Sequence, residues 1–424
     1  ENRQLIEQST IDNWIPWFAL ENARGGLIRE GTLTPCEQIY HPTSNSGLRM
    51  LNIITVDLAG KQLGEELAST SVLADGQTVY SSQDNLYVGT TEWVDRAELE
   101  ANEDQTSDAR PSVTTRIHKF DISNPNRTLY RTSGQVRGTI LNQYSMSEHD
   151  GYLRVATTDH GWWSPGGATN SESYVTVLAE GNGEMNQIGR VGDLGHGERI
   201  YAVRFLGDFA TVVTFRQTDP LYTIDLSNPR LPKVLGELKI LGYSAYLHPV
   251  TDTLLLGIGQ DALDDGRTLG TQVSLFDISD LSDPIRIDQW HLAGGHTEIE
   301  YNARAFLHWP PENLFVLPVT THRVETPESG PFSGAVALEL SGQSLTERGR
   351  LTHLKTPPKV HCQQWIEENE DGNEISTRHC WPEMDWRATI QRSVVIRDQI
   401  YTLSSLGLLA SNLHTLEPQA FFSF

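Results

Sequence analysis

The chain has 424 residues, with 32 Lys and Arg against 55 Asp and Glu, a formal charge of −23 and only 3 Cys. An acid excess of this size repels phosphate backbones and anionic headgroups, so nucleic acid and membrane surfaces are excluded as natural partners. No run of 18 apolar residues occurs, so no helix is expected to span a bilayer.

Residues 1–35 begin polar and carry no repeat, and they are expected to be an extended or loop segment ahead of a strand-rich domain over 36–424. From there one pattern recurs: an apolar residue, an acid, another apolar residue, then Ser and often Asn-Pro. It reads Thr55-Val-Asp57-Leu58, Phe120-Asp121-Ile-Ser-Asn-Pro125, Ile224-Asp225-Leu-Ser-Asn-Pro229, Phe276-Asp277-Ile-Ser-Asp280 and Leu338-Glu339-Leu-Ser341. The steps between acids are 64, 104, 52 and 62 residues, so a weaker copy is due halfway through the long step. Tyr174-Val-Thr-Val-Leu-Ala-Glu180 stands there, and Leu408-Leu-Ala-Ser-Asn-Leu413 supplies a last copy, making seven. Between the copies, Val212-Val-Thr-Phe215, Leu254-Leu-Leu-Gly-Ile258 and Leu314-Phe-Val-Leu317 are apolar runs too short for amphipathic helices and bounded by turn residues. Ser, Asn and Asp bond their own backbone and Pro presets φ, so each copy is expected to end a strand in a tight turn, with Lys233–Ile240 as one returning strand.

Units of about 50 to 70 residues are too short to close separate sandwich cores and fit four strands plus loops. They predict an all-β propeller with seven visible four-stranded blade repeats. Two stretches interrupt it. Residues 92–110 are acidic and poor in large apolar side chains, so an exposed insertion is expected. Residues 356–383 hold Cys362, Cys380 and an acidic run, and are expected to be a long loop.

Five ordered strings carry a resemblance: Tyr152-Leu-Arg-Val-Ala-Thr-Thr158, Gly197-Glu-Arg-Ile-Tyr-Ala-Val-Arg-Phe205, Val213-Thr-Phe-Arg-Gln-Thr-Asp-Pro-Leu221, Tyr246-Leu-His-Pro249 and Gly257-Ile-Gly-Gln-Asp261. Over Cys36 to Ser411 the chain resembles a family of secreted bacterial and archaeal β-propeller proteins of uncharacterised function. The resemblance implies the fold and export, and it carries over no catalytic residue. Members of that family usually begin with a further strand-rich segment, so an additional N-terminal blade absent from this chain is expected, with ring closure through a second chain or an N-terminal strand.

Cys362 and Cys380, each preceded by a His, are expected to form a disulfide across the late loop, since exported proteins oxidise such pairs. A Cys2His2 metal site is the competing reading, and adjacent His-Cys ligands chelate awkwardly. Cys36 is left over. Asp261, Asp264 and Asp265 gather carboxylates at a glycine turn, which suits calcium, although a plain hairpin turn explains them too. Glu367-x-Asn369-x-Asp371-Gly372 imitates half a calcium loop, but Arg378 stands where the closing Glu belongs. Arg199, Arg204, Arg216, Asp219 and His248 lie within the resembling strings. They either tie strands together or line a polar funnel for an anionic ligand. Trp162 and Trp163 either pack in a blade or offer a stacking patch.

No Gly-x-Ser-x-Gly, His-Glu-x-x-His, Walker or dinucleotide fingerprint is present. The expected function is an exported, secreted or periplasmic binding scaffold for a protein or cell-surface polymer, without a certain cofactor. A metal-assisted hydrolase in the central funnel and a structural subunit of an extracellular assembly are the alternatives.

Overall fold

Strand formation follows from the short β-branched runs, which pack on a pleated surface and are cut by Gly, Asn and Pro before they reach helix length. The computed structural model describes residues 2–10, 13–57, 67–92, 112–160, 171–215, 218–322, 324, 330–368 and 374–424. Two compact units arise, Glu1–Gly197 with Leu226–Pro232, and Glu198–Asp225 with Lys233–Phe424. Among the described residues no helix is long and apolar enough to cross a membrane.

The first unit starts with the helix Asn2–Gln8 and the antiparallel pair Trp17–Glu21 and Leu27–Thr32, so the segment 1–35, expected as extended or loop, carries one short helix beside its extended strands. A three-stranded sheet follows, in which Leu67–Leu73 lies between Ile39–Tyr40 and Met50–Val56. Two four-stranded antiparallel meanders complete the unit. One is Thr78–Ser81, Asn85–Glu92, Thr114–Asp121 and Leu129–Arg137. The other is Met146–His149, Tyr152–Asp159, Glu172–Gly181 and Glu184–Leu194.

The second unit holds four more meanders. Arg199–Leu206, Phe209–Phe215, Thr218–Asp225 and Lys233–Leu241 form the first, and Tyr243–Pro249, Leu254–Ala262, Thr268–Asp277 and Ile285–Ala293 the second. In the third, Gly295–Thr297 and Leu307–Trp309 share the first place beside Leu314–Thr321, and Ser333–Ser341 and Ser344–Leu351 complete it. The last is Arg392–Ile396, Gln399–Ser404, Gly407–Asn412 and Pro418–Ser423. Second and third strands are the more deeply buried, and Leu255, Leu256 and Ile258 of one second strand are closed to solvent. Each such side chain contributes about 1.5–3 kcal/mol by leaving water.

The repeated acid has a definite place. In all six meanders its copy falls at or near the end of the third strand, as with Asp121, Glu180, Asp225, Asp277, Glu339 and the Ser411-Asn412 copy. Asp121 and Asp277 then accept the backbone N–H of Ser123 (3.0 Å) and Ser279 (2.9 Å), and the bonds to these serines hold both carboxyls below the usual carboxylate range. Asp57 is the exception, because it follows the edge strand of the three-stranded sheet.

A second device recurs without any signature in the sequence. All six meanders carry a register shift between third and fourth strands just before the acid position, at Lys119/Phe120, Val177/Leu178, Thr223/Ile224, Leu275/Phe276, Ala337/Leu338 and Ala410/Ser411. Such bulges sharpen local twist. Glycines on fourth strands then admit a neighbouring segment closely. A Cβ at Gly236 would meet the Leu281 carbonyl at 2.6 Å, and one at Gly189 would collide with the Pro229 carbonyl. Where Asp288 stands instead, its carboxylate accepts the Leu345 N–H at 2.6 Å.

The cysteine-bearing stretch expected as a loop is largely a hairpin, Lys359–Glu368 paired with Glu374–Glu383. Cys362 and Cys380 stand directly opposite and are joined by a disulfide. Alternation explains the hairpin: Val360, Cys362, Cys380 and Pro382 turn inward, while His361, Gln363, Trp365, His379 and Trp381 face solvent.

Candidate functional site

In the second unit the first strands begin with polar and aromatic residues. Arg199 donates to the Tyr201 hydroxyl at 2.8 Å and lies 4.8 Å over its ring. Tyr201, Phe215 and Tyr243 form a triangle with ring centres 4.8–5.4 Å apart. The Tyr243 hydroxyl donates to Glu300 at 2.8 Å, and burial, reinforced by that carboxylate, drives its pKa far above the ordinary phenol value.

Glu300 is the hub of this end. Its side chain is 3% exposed, accepts from Gln260 Nε2 at 2.5 Å, and lies 3.3 Å from His296 Nδ1. The Gln260 backbone carbonyl accepts from Gln272 Nε2, and Gln272 Oε1 accepts from Gln289. Glu300 reaches this position through a single 3-10 turn, Glu298–Glu300, in which the Ile299 N–H donates to the Thr297 hydroxyl and Ile299 is buried.

The same turn places Glu298 in an open cleft of about 420 Å³, lined by Glu298, Asn302, Trp386, Thr389, Gln391 and Arg392. Trp386 is 74% exposed. It sits at the start of the turn Trp386–Ala388, which Asp385 caps by accepting from Arg387, while Ala388 and Ile390 are buried beneath. Anchoring the small residues inward forces the indole outward.

The candidate residues read from the sequence do not form one site. Arg199 belongs to the starting end just described. Arg204 and His248 lie near the finishing ends of their strands, roughly 15 Å further along at about 3.3 Å per residue. His248 is enclosed: Nδ1 pairs with the Tyr246 hydroxyl at 3.2 Å, Nε2 with His308 at 2.9 Å, and Phe306 packs on its ring. Burial first, then His308 and Arg204, lower its pKa to about 4, so it is a neutral packing element. Asp261, Asp264 and Asp265 do not bring their oxygens together as a group. The hairpin turn consumes them, since Asp265 accepts the Arg267 N–H at 2.9 Å and Asp261 lies 3.8 Å from His291.

Arg216, Trp162, Trp163 and the centre of the Glu367–Asp371 run lie outside the described residues, as does all of the 92–110 insertion except Glu92. Asp219 is described in its backbone only, opposite Ile240. The residues sequence reading missed are Glu298, Glu300, His296, Trp386 and Arg392. None belongs to the repeat, and only the acid-Trp-Arg string at Asp385-Trp386-Arg387 hints at a capped turn with an outward ring.

The sequence model of a family described as Beta propeller domain matches residues 1–416. An uncharacterised protein of Methanocaldococcus jannaschii is 46% identical over 190 residues, 45% of this chain and 29% of that one. Another, from Archaeoglobus fulgidus, is 40% identical over 210 residues, 50% of this chain and 30% of that one. The matches thus span under a third of the length of these relatives. The crystal structure of Saccharomyces cerevisiae Sqt1 aligns over 74% of this chain and 71% of its own, at 7% identity and a TM-score of 0.40, too loose a likeness to carry an argument.

Proposed function

The chain belongs to the β-propeller domain family, and from that premise we propose that it is an exported, non-catalytic recognition module that holds a protein or cell-surface polymer at the Trp386 cleft. The observation that carries this reading is the 74% exposed indole set among Glu298, Asn302, Gln391 and Arg392. A flat aromatic surface ringed by amide, carboxylate and guanidinium groups suits a polar chain that stacks on the ring and bonds at its edges. Arg392 is steadied for this role, since its Nη1 donates to the Gln391 carbonyl at 2.7 Å.

Export is supported by the Cys362–Cys380 disulfide, because such bonds persist in oxidising compartments. The charge of −23 disfavours phosphate polymers as ligands. The structural-subunit reading has its own observation, the outward face of the 359–383 hairpin, where Trp365 and Trp381 are 52% and 42% exposed.

Retention of envelope proteins or polymers on the immobilised full chain tests the reading. Trp386→Ala should lose at least tenfold of the capture while its melting midpoint stays unchanged. Equal capture by Trp386→Ala would overturn the placement at the cleft, and loss through Trp365→Ala and Trp381→Ala instead would move recognition to the hairpin.

A further inference from the structure

One sheet departs from the plan of the rest. In all six meanders the strand carrying the repeat copy lies between a second and a fourth strand. Met50–Val56 leads into its acid, Asp57, in the same way and pairs antiparallel with Leu67–Leu73 as with a fourth strand, but among the described residues no strand pairs with its other edge. Ile39–Tyr40, which precedes it in the chain, lies beyond Leu67–Leu73 and runs parallel to it.

The open edge has the character of an interior strand. Leu51 and Ile53 pack against Val72, Ala74, Val88 and Phe120, whereas Ile54 and Val56 are 48% and 38% exposed. No residue of Met50–Val56 is charged. The bordering fourth strands Lys233–Leu241 and Ser344–Leu351 each carry three charged side chains, the usual guard of a free edge.

The meanders also show what chemistry belongs beside such a strand. Their second strands are rich in Val, Leu, Ile and Thr, and three carry an acid at or next to their ends, Glu92, Asp159 and Asp261. These acids stand opposite Thr114, Glu172 and Gly270, seven or eight residues ahead of the repeated acid on the third strand. The corresponding positions ahead of Asp57 are Met50 and Arg49. The Arg49 side chain is 87% exposed, and its ion-pair partner Asp75 is 3.7 Å away. In the first meander this charge pairing is made within the sheet, where Arg116 Nε on the third strand donates to Glu92 on the second at 2.9 Å.

We propose that Met50–Val56 accepts an extended segment of a partner polypeptide as an added antiparallel strand, uncharged along its length and ending in a carboxylate that meets Arg49. Backbone bonds hold such a strand, and the terminal ion pair fixes its register. A second copy of the chain is disfavoured as the occupant, because two molecules of charge −23 repel each other. The surface belongs to the first unit and is independent of recognition at the Trp386 cleft.

The probe is the chain's own second strand, Asn85-Leu-Tyr-Val-Gly-Thr-Thr-Glu92, as a fluorescein-labelled peptide titrated with the full chain and followed by anisotropy. Saturation at one peptide per chain is expected. Ile54→Lys, which puts a charge on the exposed edge, and Arg49→Glu should each weaken binding at least tenfold at an unchanged melting midpoint. Ala420→Lys, on the uncharged edge strand Pro418–Ser423, should not. A peptide ending in Lys instead of Glu should bind Arg49→Glu more tightly than it binds the wild type. Absence of saturable binding to the wild type, or binding indifferent to both Ile54→Lys and Arg49→Glu, would overturn the proposal. Sedimentation of the wild type as a dimer that Ile54→Lys dissociates would overturn it as well, by giving the edge to a second copy.

Discussion

Asp159 in the first unit and Glu300 in the second are both buried acids near the ends of strands, and each is neutralised by different chemistry. Asp159 holds Arg137, which is charged at every physiological pH and also lies 5.7 Å over the Tyr174 ring. Glu300 has neutral donors and a histidine. The first arrangement is a structural clasp built on a permanent cation, and the second is built on two neutral donors and an imidazole.

The sharpest way to break this contrast is to remove the permanent cation. Arg137→Met should cost about 3 kcal/mol in urea unfolding, because the buried Asp159 carboxylate loses the guanidinium 2.6 Å away. Restoring neutrality with Arg137→Met/Asp159→Asn should recover most of it, and His296→Ala should cost only about 1 kcal/mol, since Glu300 keeps two hydrogen bonds. Similar losses from both single variants would erase the distinction.

Histidines offer a second contrast. His118 in the first unit and His248 in the second both have pKa values lowered to about 4, in each case chiefly by burial. His118 bonds Ser133 at 2.6 Å through Nδ1, while its buried Nε2 has no hydrogen-bond partner among the described residues; both nitrogens of His248 are engaged. The folded pKa of His118 lies below the unfolded value of about 6.5, so the unfolded chain takes up the proton first. Stability is therefore complete above pH 6.5 and falls as pH drops toward 4, by up to about 3 kcal/mol for His118. Urea midpoints measured between pH 7 and 4 should show this slope, and His118→Gln should reduce it while His248 keeps its own share.

Glycines provide the finest test. Gly236→Ala drives a Cβ against the Leu281 carbonyl and should cost about 2 kcal/mol, whereas Gly349→Ala meets only the flexible Leu416 Cδ1 at 3.0 Å and should cost under about 1 kcal/mol. Thermal melts of the two variants check the order.

The repeat was readable because turn chemistry is local: Asp121 and Ser123, or Asp277 and Ser279, are two residues apart and bond each other. Val212, Leu255 and Phe315 announced buried second strands for the same reason, as neighbours along the chain. The bulges opposite Phe120 and Ile224 arise from the register of two strands and leave no local mark. Glu300 lies 57 residues from Tyr243 and 40 from Gln260, and only the tertiary fold brings them together. Trp386 carries no signal of its exposure, because an exposed ring and a core ring look alike in sequence. In the hairpin Lys359–Glu383 the acidic run interrupts the alternation of Val360, Cys362, Cys380 and Pro382, so the sequence reads as a loop there.

The most direct measurement is an equilibrium binding array of glycans and surface peptides, read with the wild type, Trp386→Ala, Arg392→Ala and Trp365→Ala. Recognition at the strand-start end of the second unit predicts that a ligand held by the wild type is lost at least tenfold in the Trp386 and Arg392 variants and kept by Trp365→Ala. A ligand whose affinity is indifferent to Trp386 and Arg392 would contradict it.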